Sequence, residues 1–206
     1  MEELKIKICG LTNESDIKIV NRLKIDFAGF VLFFPKSKRN LEIARASELK
    51  SKLKDISSVA VTVSPDLSQL AMIENAGFDY IQIHGIMSRE VYENCNIPII
   101  RAFNSLDIDE IEKCSRLDKI EILLFDAAEP GSGKQCDWNS LSAAKQYNKK
   151  IALAGGLCPD NVCNAIKCVS PNIVDVSSGV EHSKCGKDPI LCENFVRNAR
   201  NTKKSG

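Results

Sequence analysis

The fold class that the sequence predicts is α/β, a closed (β/α)8 barrel of the TIM type, and three observations predict it. The first is a series of eight short runs rich in Ile and Val, at residues 5–9, 28–33, 59–63, 80–84, 97–102, 120–126, 151–154 and 173–176. Most are continuously apolar rather than alternating, the pattern of parallel strands covered on both faces. The second is the amphipathic segment between successive runs, which repeats a strand–helix unit every ~25 residues. The third is where the last two runs stop. Ile151-Ala152-Leu153-Ala154 ends at Gly155-Gly156, and Asn172-Ile173-Val174-Asp175-Val176 ends at Ser177-Ser178-Gly179. Small residues let backbone N–H groups approach an anion, serine adds a hydroxyl donor, and barrels hold phosphate at this pair of loops.

The helical segments carry their own start signals. Asn13 is placed to cap a helix running to about Leu23, and Asn40 or its successor opens a segment containing Leu41, Ile43, Ala44 and Leu49. Asp66 precedes Leu67, Leu70, Ala71 and Ile73, with Gly77 as the stop. Asp107 leads Ile108 and Ile111, and Asp137 leads Trp138, Leu141 and Ala144. Pro159 sits at an expected first helical turn before Val162 and Ile166, and Asp188-Pro189 opens a last helix through Phe195 and Val196. A doubly wound open sheet is the main competitor, but no GxGxxG follows the first strand. No linker or low-complexity stretch interrupts residues 1–206, so one small domain is expected.

Composition narrows the function classes. A net charge of +1 gives no general case for nucleic acid or an anionic membrane, and the basic residues near the C-terminus read as a solvated helix end. No apolar run is long enough to span a bilayer, and the acidic Met1-Glu2-Glu3 start is unlike a secretory leader, so a cytoplasmic protein is expected. The nine cysteines include no CxxC pair, and His84 and His182 are the only histidines. Disulfides and a zinc site are therefore not expected, and most cysteines read as small buried hydrophobes.

In a barrel, the chemistry lies at the C-terminal ends of the strands. That rule picks out Cys9, the Pro35-Lys36-Ser37-Lys38-Arg39 stretch, Gln82 and His84, Arg101, Asp126 and the two small-residue loops. Cys9 reads either as a structural thiol or as a thiolate base or nucleophile, the second needing donors or positive charge that lower its pKa. Asp126 ends a strongly apolar strand, so a raised pKa and a general-acid role are expected, against a loop-ordering role. Arg39 reads as a solvated loop residue or as a bidentate holder of a substrate carboxylate. Gly131-Ser132-Gly133-Lys134 lacks the full Walker pattern and reads as a flexible loop over the barrel mouth.

Taken in order, these motifs resemble the phosphoribosylanthranilate isomerase family. The matching segments are Lys5-Ile6-Lys7-Ile8-Cys9-Gly10-Leu11-Thr12, Gly29-Phe30-Val31 with Pro35 to Arg39, Gln82-Ile83-His84-Gly85, Leu123-Leu124-Phe125-Asp126, Gly131 to Lys134 with Asp137-Trp138, Leu153-Ala154-Gly155-Gly156-Leu157 with Pro159-Asp160-Asn161-Val162, and Val174-Asp175-Val176-Ser177-Ser178-Gly179-Val180-Glu181. The resemblance implies an Amadori rearrangement of N-(5-phosphoribosyl)anthranilate to 1-(2-carboxyphenylamino)-1-deoxyribulose 5-phosphate, the isomerase step of tryptophan biosynthesis, with no cofactor and no metal. It implies Asp126 as acid and Cys9 as base, Arg39 on the anthranilate carboxylate, and Gly155, Gly156, Ser178 and Gly179 at the phosphate. Gln82, His84 and Asp175 would line the sugar. The expected partner is this small sugar phosphate, on a monomer or homodimer. Three positions depart from the family pattern: Ser64 after the third strand, where asparagine is usual, Ile86 after His84-Gly85, where an acidic residue is common, and Cys136 in place of an aromatic. The alternatives are another phosphate-clamp barrel isomerase or a non-catalytic sugar-phosphate-binding barrel. A cysteine rather than an aspartate at the first strand argues against the histidine-pathway type.

Overall fold

The computed structural model describes residues 3–103, 108–126, 146–182 and 186–202. The Gly131-Ser132-Gly133-Lys134 loop, Asp137-Trp138 with the helix expected there, Asp107, Cys136 and Cys185 lie outside the described residues.

Eight parallel strands make the barrel: β1 (Lys5–Cys9), β2 (Phe27–Leu32), β3 (Ser57–Val63), β4 (Tyr80–His84), β5 (Ile99–Phe103), β6 (Ile120–Asp126), β7 (Lys150–Ala154) and β8 (Ile173–Val176). Each pairs with its sequence neighbour, and β1 pairs with both β2 and β8, which closes the sheet. A two-residue extended pair, Asn40–Leu41, flanks β2 outside the ring. Seven described helices surround it: α1 (Glu14–Leu23), α2 (Ile43–Lys50), α3 (Leu67–Asn75), α4 (Arg89–Asn94), α5 (Ile108–Ser115), α6 (Val162–Val169) and α7 (Pro189–Asn201).

The expected caps are largely present. Asn13 Oδ1 accepts from Asp16 N at 3.0 Å, Asp66 forms a reciprocal capping box with Gln69, and Asp188 Oδ1 accepts from Ile190 N and Leu191 N ahead of Pro189. Three details differ from expectation. Asn40 caps nothing: its Oδ1 accepts from Phe34 N at 2.7 Å and folds the loop after β2, so that α2 starts three residues later at Ile43. α6 starts at Val162 rather than at Pro159, because the Asn161 carboxamide is used on the preceding loop. α4 has no counterpart in the sequence reading, since its six residues bury only Val91.

Two apolar shells follow from the period of the strands. Outward residues such as Ile6, Ile8, Phe30, Ile81, Leu123 and Leu153 pack against the helices, while Phe27, Val59, Val61, Ile100, Ala102, Ile122, Leu124, Ala152 and Ile173 fill the barrel interior. At the N-terminal rim a polar device recurs. Asp26, Asp79 and Asn172 each lie just before a strand and accept from the backbone N–H of the preceding one, at Ile6, Ser58 and Ile151, between 2.7 and 2.9 Å. Of the described cysteines, Cys9, Cys95, Cys114 and Cys192 are buried, Cys158 and Cys163 are half-buried and Cys168 is exposed. Burial pushes the Cys192 thiol up to about 12, the state of an inert packing residue. Among the described residues no helix is long and apolar enough to cross a membrane.

Candidate active site

The inward residues at the C-terminal ends of the strands open into one cavity of about 650 Å³. Cys9, Arg39, Gln82, His84, Asp126, Gly155, Gly156, Asp175 and Ser178 all line it. Nine positions read from sequence as site residues thus share one concave surface, although they come from six strands and the loops after them. Gly179 differs. It does not line the cavity, and a Cβ placed on it would lie 1.9 Å from the Leu157 carbonyl oxygen. Its bare Cα lets the loop after β8 press against the loop after β7.

The two small-residue loops are held by specific bonds. Gly155 and Gly156 adopt positive φ (83° and 63°), and Asn161 braces them: its Nδ2 donates to Gly156 O at 2.9 Å while its Oδ1 accepts from Cys158 N at 2.8 Å. Ser177 Oγ donates to Cys9 O at 3.0 Å and ties β8 to the end of β1. Ser178 then opens a three-residue 3-10 turn, Ser178–Val180.

Arg39 is held on one side of the mouth by Glu181. Its Nε and Nη2 both donate to the Glu181 carboxylate, the second at 2.9 Å. Lys38 Nζ and Lys187 Nζ reach the same carboxylate at 2.9 and 3.1 Å. Burial works against the Glu181 charge, but the bonds from Arg39 and Lys38 and the charge of Lys187 outweigh it and hold its pKa at about 2. Lys187 is itself placed by Asp16, whose Oδ1 accepts from Lys187 N at 2.8 Å, and its Nζ also donates to Ser177 O. Three cations around one carboxylate leave this side of the cavity electropositive.

The deep wall is different. Lys7, 1% exposed, donates from Nζ to Asp175 Oδ2 at 2.6 Å, and the two residues are direct partners of β1 and β8. Burial works against the Lys7 charge, but Asp175 and the neighbouring Cys9 outweigh it and raise its pKa. Cys9 lies on the same inward face, in space that Gly29 leaves open: a Cβ on Gly29 would come within 2.8 Å of the sulfur. Burial pushes the Cys9 thiol up, Asp175 adds to this, and Lys7 and Lys187 oppose it. The net direction is upward, whereas a resting thiolate calls for a lowered thiol pKa. Gln82 Nε2 and His84 Nε2 lie 2.7 Å apart on β4. Among the described residues, Gln82 Oε1 and Asp175 Oδ1 are buried and find no hydrogen-bond partner, which leaves two acceptors at the cavity wall.

A family model described as N-(5'phosphoribosyl)anthranilate (PRA) isomerase matches residues 6–198. The chain belongs to the phosphoribosylanthranilate isomerase family. The N-(5'-phosphoribosyl)anthranilate isomerase of Thermoanaerobacter pseudethanolicus is 37% identical over 204 residues, covering 96% of this chain and 98% of that protein. Its counterpart in Streptococcus mutans is 36% identical, covering 95% of this chain and 98% of that one. The crystal structure of phosphoribosyl anthranilate isomerase from Thermotoga maritima matches with a TM-score of 0.83 at 32% identity, over 95% of this chain and 98% of that chain. A phosphoribosyl anthranilate isomerase in complex with reduced 1-(o-carboxyphenylamino)-1-deoxyribulose 5-phosphate matches with a TM-score of 0.80 at 30% identity, over the same shares. The Thermotoga maritima protein is also described as a dimer from which monomers were generated.

Within this isomerase family member, Arg101 is a correction to the sequence reading. It lies next to the end of β5 but on the outward face, since Ile100 and Ala102 point inward. Its guanidinium is buried and donates to Ile83 O, Ala102 O and Gly85 O at 2.7–3.0 Å, with a further ion pair to Glu110. A register shift between Ile99 and Ile100 accompanies this placement. Conversely, Lys7, Lys187, Glu181 and Gly29 were given no role from sequence. For Lys7 the signal was available: residues 5, 7 and 9 share one face of a strand, so Lys7 had to share the side of Cys9. The departures at 64 and 86 are coupled. Ser64 sits at φ 49°, a conformation asparagine tolerates well, and its Oγ accepts from Ile86 N at 2.9 Å, tying the loops after β3 and β4 while Ile86 stays exposed.

Proposed function

We propose that this chain isomerises N-(5-phosphoribosyl)anthranilate to 1-(2-carboxyphenylamino)-1-deoxyribulose 5-phosphate, with Asp126 and Cys9 as the acid and base. The observation that carries the reading is that one thiol and one carboxyl, from β1 and β6, face a single cavity whose rim holds two small-residue loops and an arginine fork. The substrate has two anionic ends, a phosphate and a carboxylate, and both kinds of anchor are at hand. Gly155, Gly156 and Ser178 take the phosphate, with Gly179 keeping the two loops in contact. Arg39 takes the anthranilate carboxylate.

Between the anchors the chemistry is proton movement. Asp126 gives a proton to the furanose ring oxygen, the C1–O bond breaks, and the nitrogen lone pair forms the Schiff base. Cys9, as thiolate, removes the proton from the sugar C2, and the electron pair moves toward nitrogen to give an enolamine. Tautomerisation to the ketone completes the shift. Every electron pair stays within one substrate, so the reaction calls for no redox cofactor, and proton transfers alone need no metal. Gln82 Oε1 and Asp175 Oδ1, the two unpartnered acceptors, suit sugar hydroxyls. The setting we propose is the cytoplasm, with the protein a monomer or homodimer, acting on a small molecule rather than on nucleic acid or membrane.

The test is direct mixing of the protein with N-(5-phosphoribosyl)anthranilate. Loss of the substrate's fluorescence with formation of the ketone, slowed by added inorganic phosphate, is expected. Persistence of the fluorescence, or turnover indifferent to phosphate, would overturn the reading.

A further inference from the structure

The barrel interior holds a fully buried cation that the steps above leave without a task. Lys7 is fixed by Asp175 at 2.6 Å, and Cys9 follows two residues along on the same inward face of β1. A buried ion pair is a weak device for stability, because the cost of drying both charges rivals their attraction and an apolar pair of similar volume serves folding as well. A lysine here calls for another reason, and the charge count supplies one. With the thiol protonated, Lys7, Asp175 and Cys9 are neutral together. With the thiolate formed they carry one negative charge, whereas without Lys7 two anions would stand side by side in a dry interior.

We infer that Lys7 is a positioning residue for Cys9: pinned by Asp175, its ammonium is the counter-charge that permits a thiolate at this sulfur. The inference rests on the base role proposed for Cys9 for its place in the reaction, but its physical content is the ionisation of the thiol. The other charged or titratable groups around the cavity are Lys187, which is shared between Ser177 O and Glu181, Arg39, which is paired through Nε and Nη2 with Glu181, Asp126 on β6 and His84 on β4. Lys5 shares the strand and face of Cys9, but it lies exposed at the far end of β1 with its ammonium over the Phe27 ring.

The experiment is alkylation of the ligand-free protein by iodoacetamide as a function of pH, followed by the mass of the peptide that contains Cys9. In Lys7→Met the titration should move up by about one pH unit or more, so that alkylation near neutral pH slows by about tenfold or more. Asp175→Asn removes the competing anion, so there the titration should move down and alkylation should quicken. Lys7→Arg keeps the charge and should stay nearest the wild type. A packing role would not give shifts of opposite sign. If Lys7→Met does not fold, the Asp175→Asn and Lys7→Arg variants decide: unchanged or slower alkylation in Asp175→Asn overturns the inference. An unmoved Cys9 titration in folded Lys7→Met also overturns it. The expected shifts together with full turnover in Cys9→Ala would uphold the Lys7 assignment and remove the base role instead.

Discussion

Replacing Gly179 by alanine tests whether the contact between the two small-residue loops, proposed to hold the phosphate, is part of the site. The added Cβ would meet Leu157 O at 1.9 Å, the Leu157 carbonyl carbon at 3.0 Å and Cys158 Cα at 3.1 Å, against an ordinary contact of 3.4–4 Å. All three obstacles are backbone, so no rotamer change relieves them, and the loops must part by on the order of an ångström. Overpacking of this kind costs up to ~3 kcal/mol, which for a chain of this size lowers Tm by ~6–12 °C. The same separation draws Gly156 and Ser178 apart, and loss of one charge-assisted bond to phosphate, at ~1.5–3 kcal/mol, raises KM by ten-fold to a hundred-fold. Ser178→Ala is the control: it removes a hydroxyl without a clash, so KM should rise with Tm almost unmoved. Thermal unfolding by circular dichroism and steady-state kinetics give the two readouts. Gly179→Ala with wild-type Tm and wild-type KM would refute the reasoning.

Three further outcomes follow from the same structure. Arg101→Ala should lower stability by ~2–3 kcal/mol, since three backbone carbonyls lose their donor, while kcat and KM stay close to wild type; a large loss of turnover at unchanged stability would return Arg101 to the site. The Glu181 carboxylate is held at about 2 against an ordinary 4.5, so its stabilisation is complete above pH 4.5 and is lost as the pH falls toward 2. After solvent screening this is ~1–2 kcal/mol, and Glu181→Gln should flatten the acid side of a stability–pH curve by that amount; an unchanged curve would show that the three cations gain nothing from it. Arg39→Ala should raise KM for the anthranilate substrate far more than it weakens inhibition by inorganic phosphate, and equal losses for both would take Arg39 off the carboxylate.

Much of the barrel was legible because parallel strands covered on both faces must be apolar, and eight such runs stand out in 206 residues. The rule that barrel chemistry lies at strand ends then picked out Cys9, Asp126, Gln82 and His84, which line one cavity. It failed at Arg101, because nearness to a strand end does not say which face a residue takes; parity does, and β5 carries a register shift beside it. Lys7 was passed over because lysine in an alternating stretch reads as solvated, and only its counter-charge from β8, 168 residues away, makes burial affordable. Glu181 and Lys187 were hidden for a related reason: their meaning lies in Arg39 and Asp16, long-range partners that no local pattern announces. Gly179 was expected at the phosphate, and its missing side chain has a second use that no local pattern announces: it lets two loops touch.

The central claim is that one thiol and one carboxyl divide the proton transfers between them. The most direct measurement is turnover of N-(5-phosphoribosyl)anthranilate by Cys9→Ala and Asp126→Asn, with phosphate binding measured on the same samples. Each variant should lose turnover by ~100-fold or more while still binding phosphate like the wild type. Near wild-type turnover in either folded variant would contradict it.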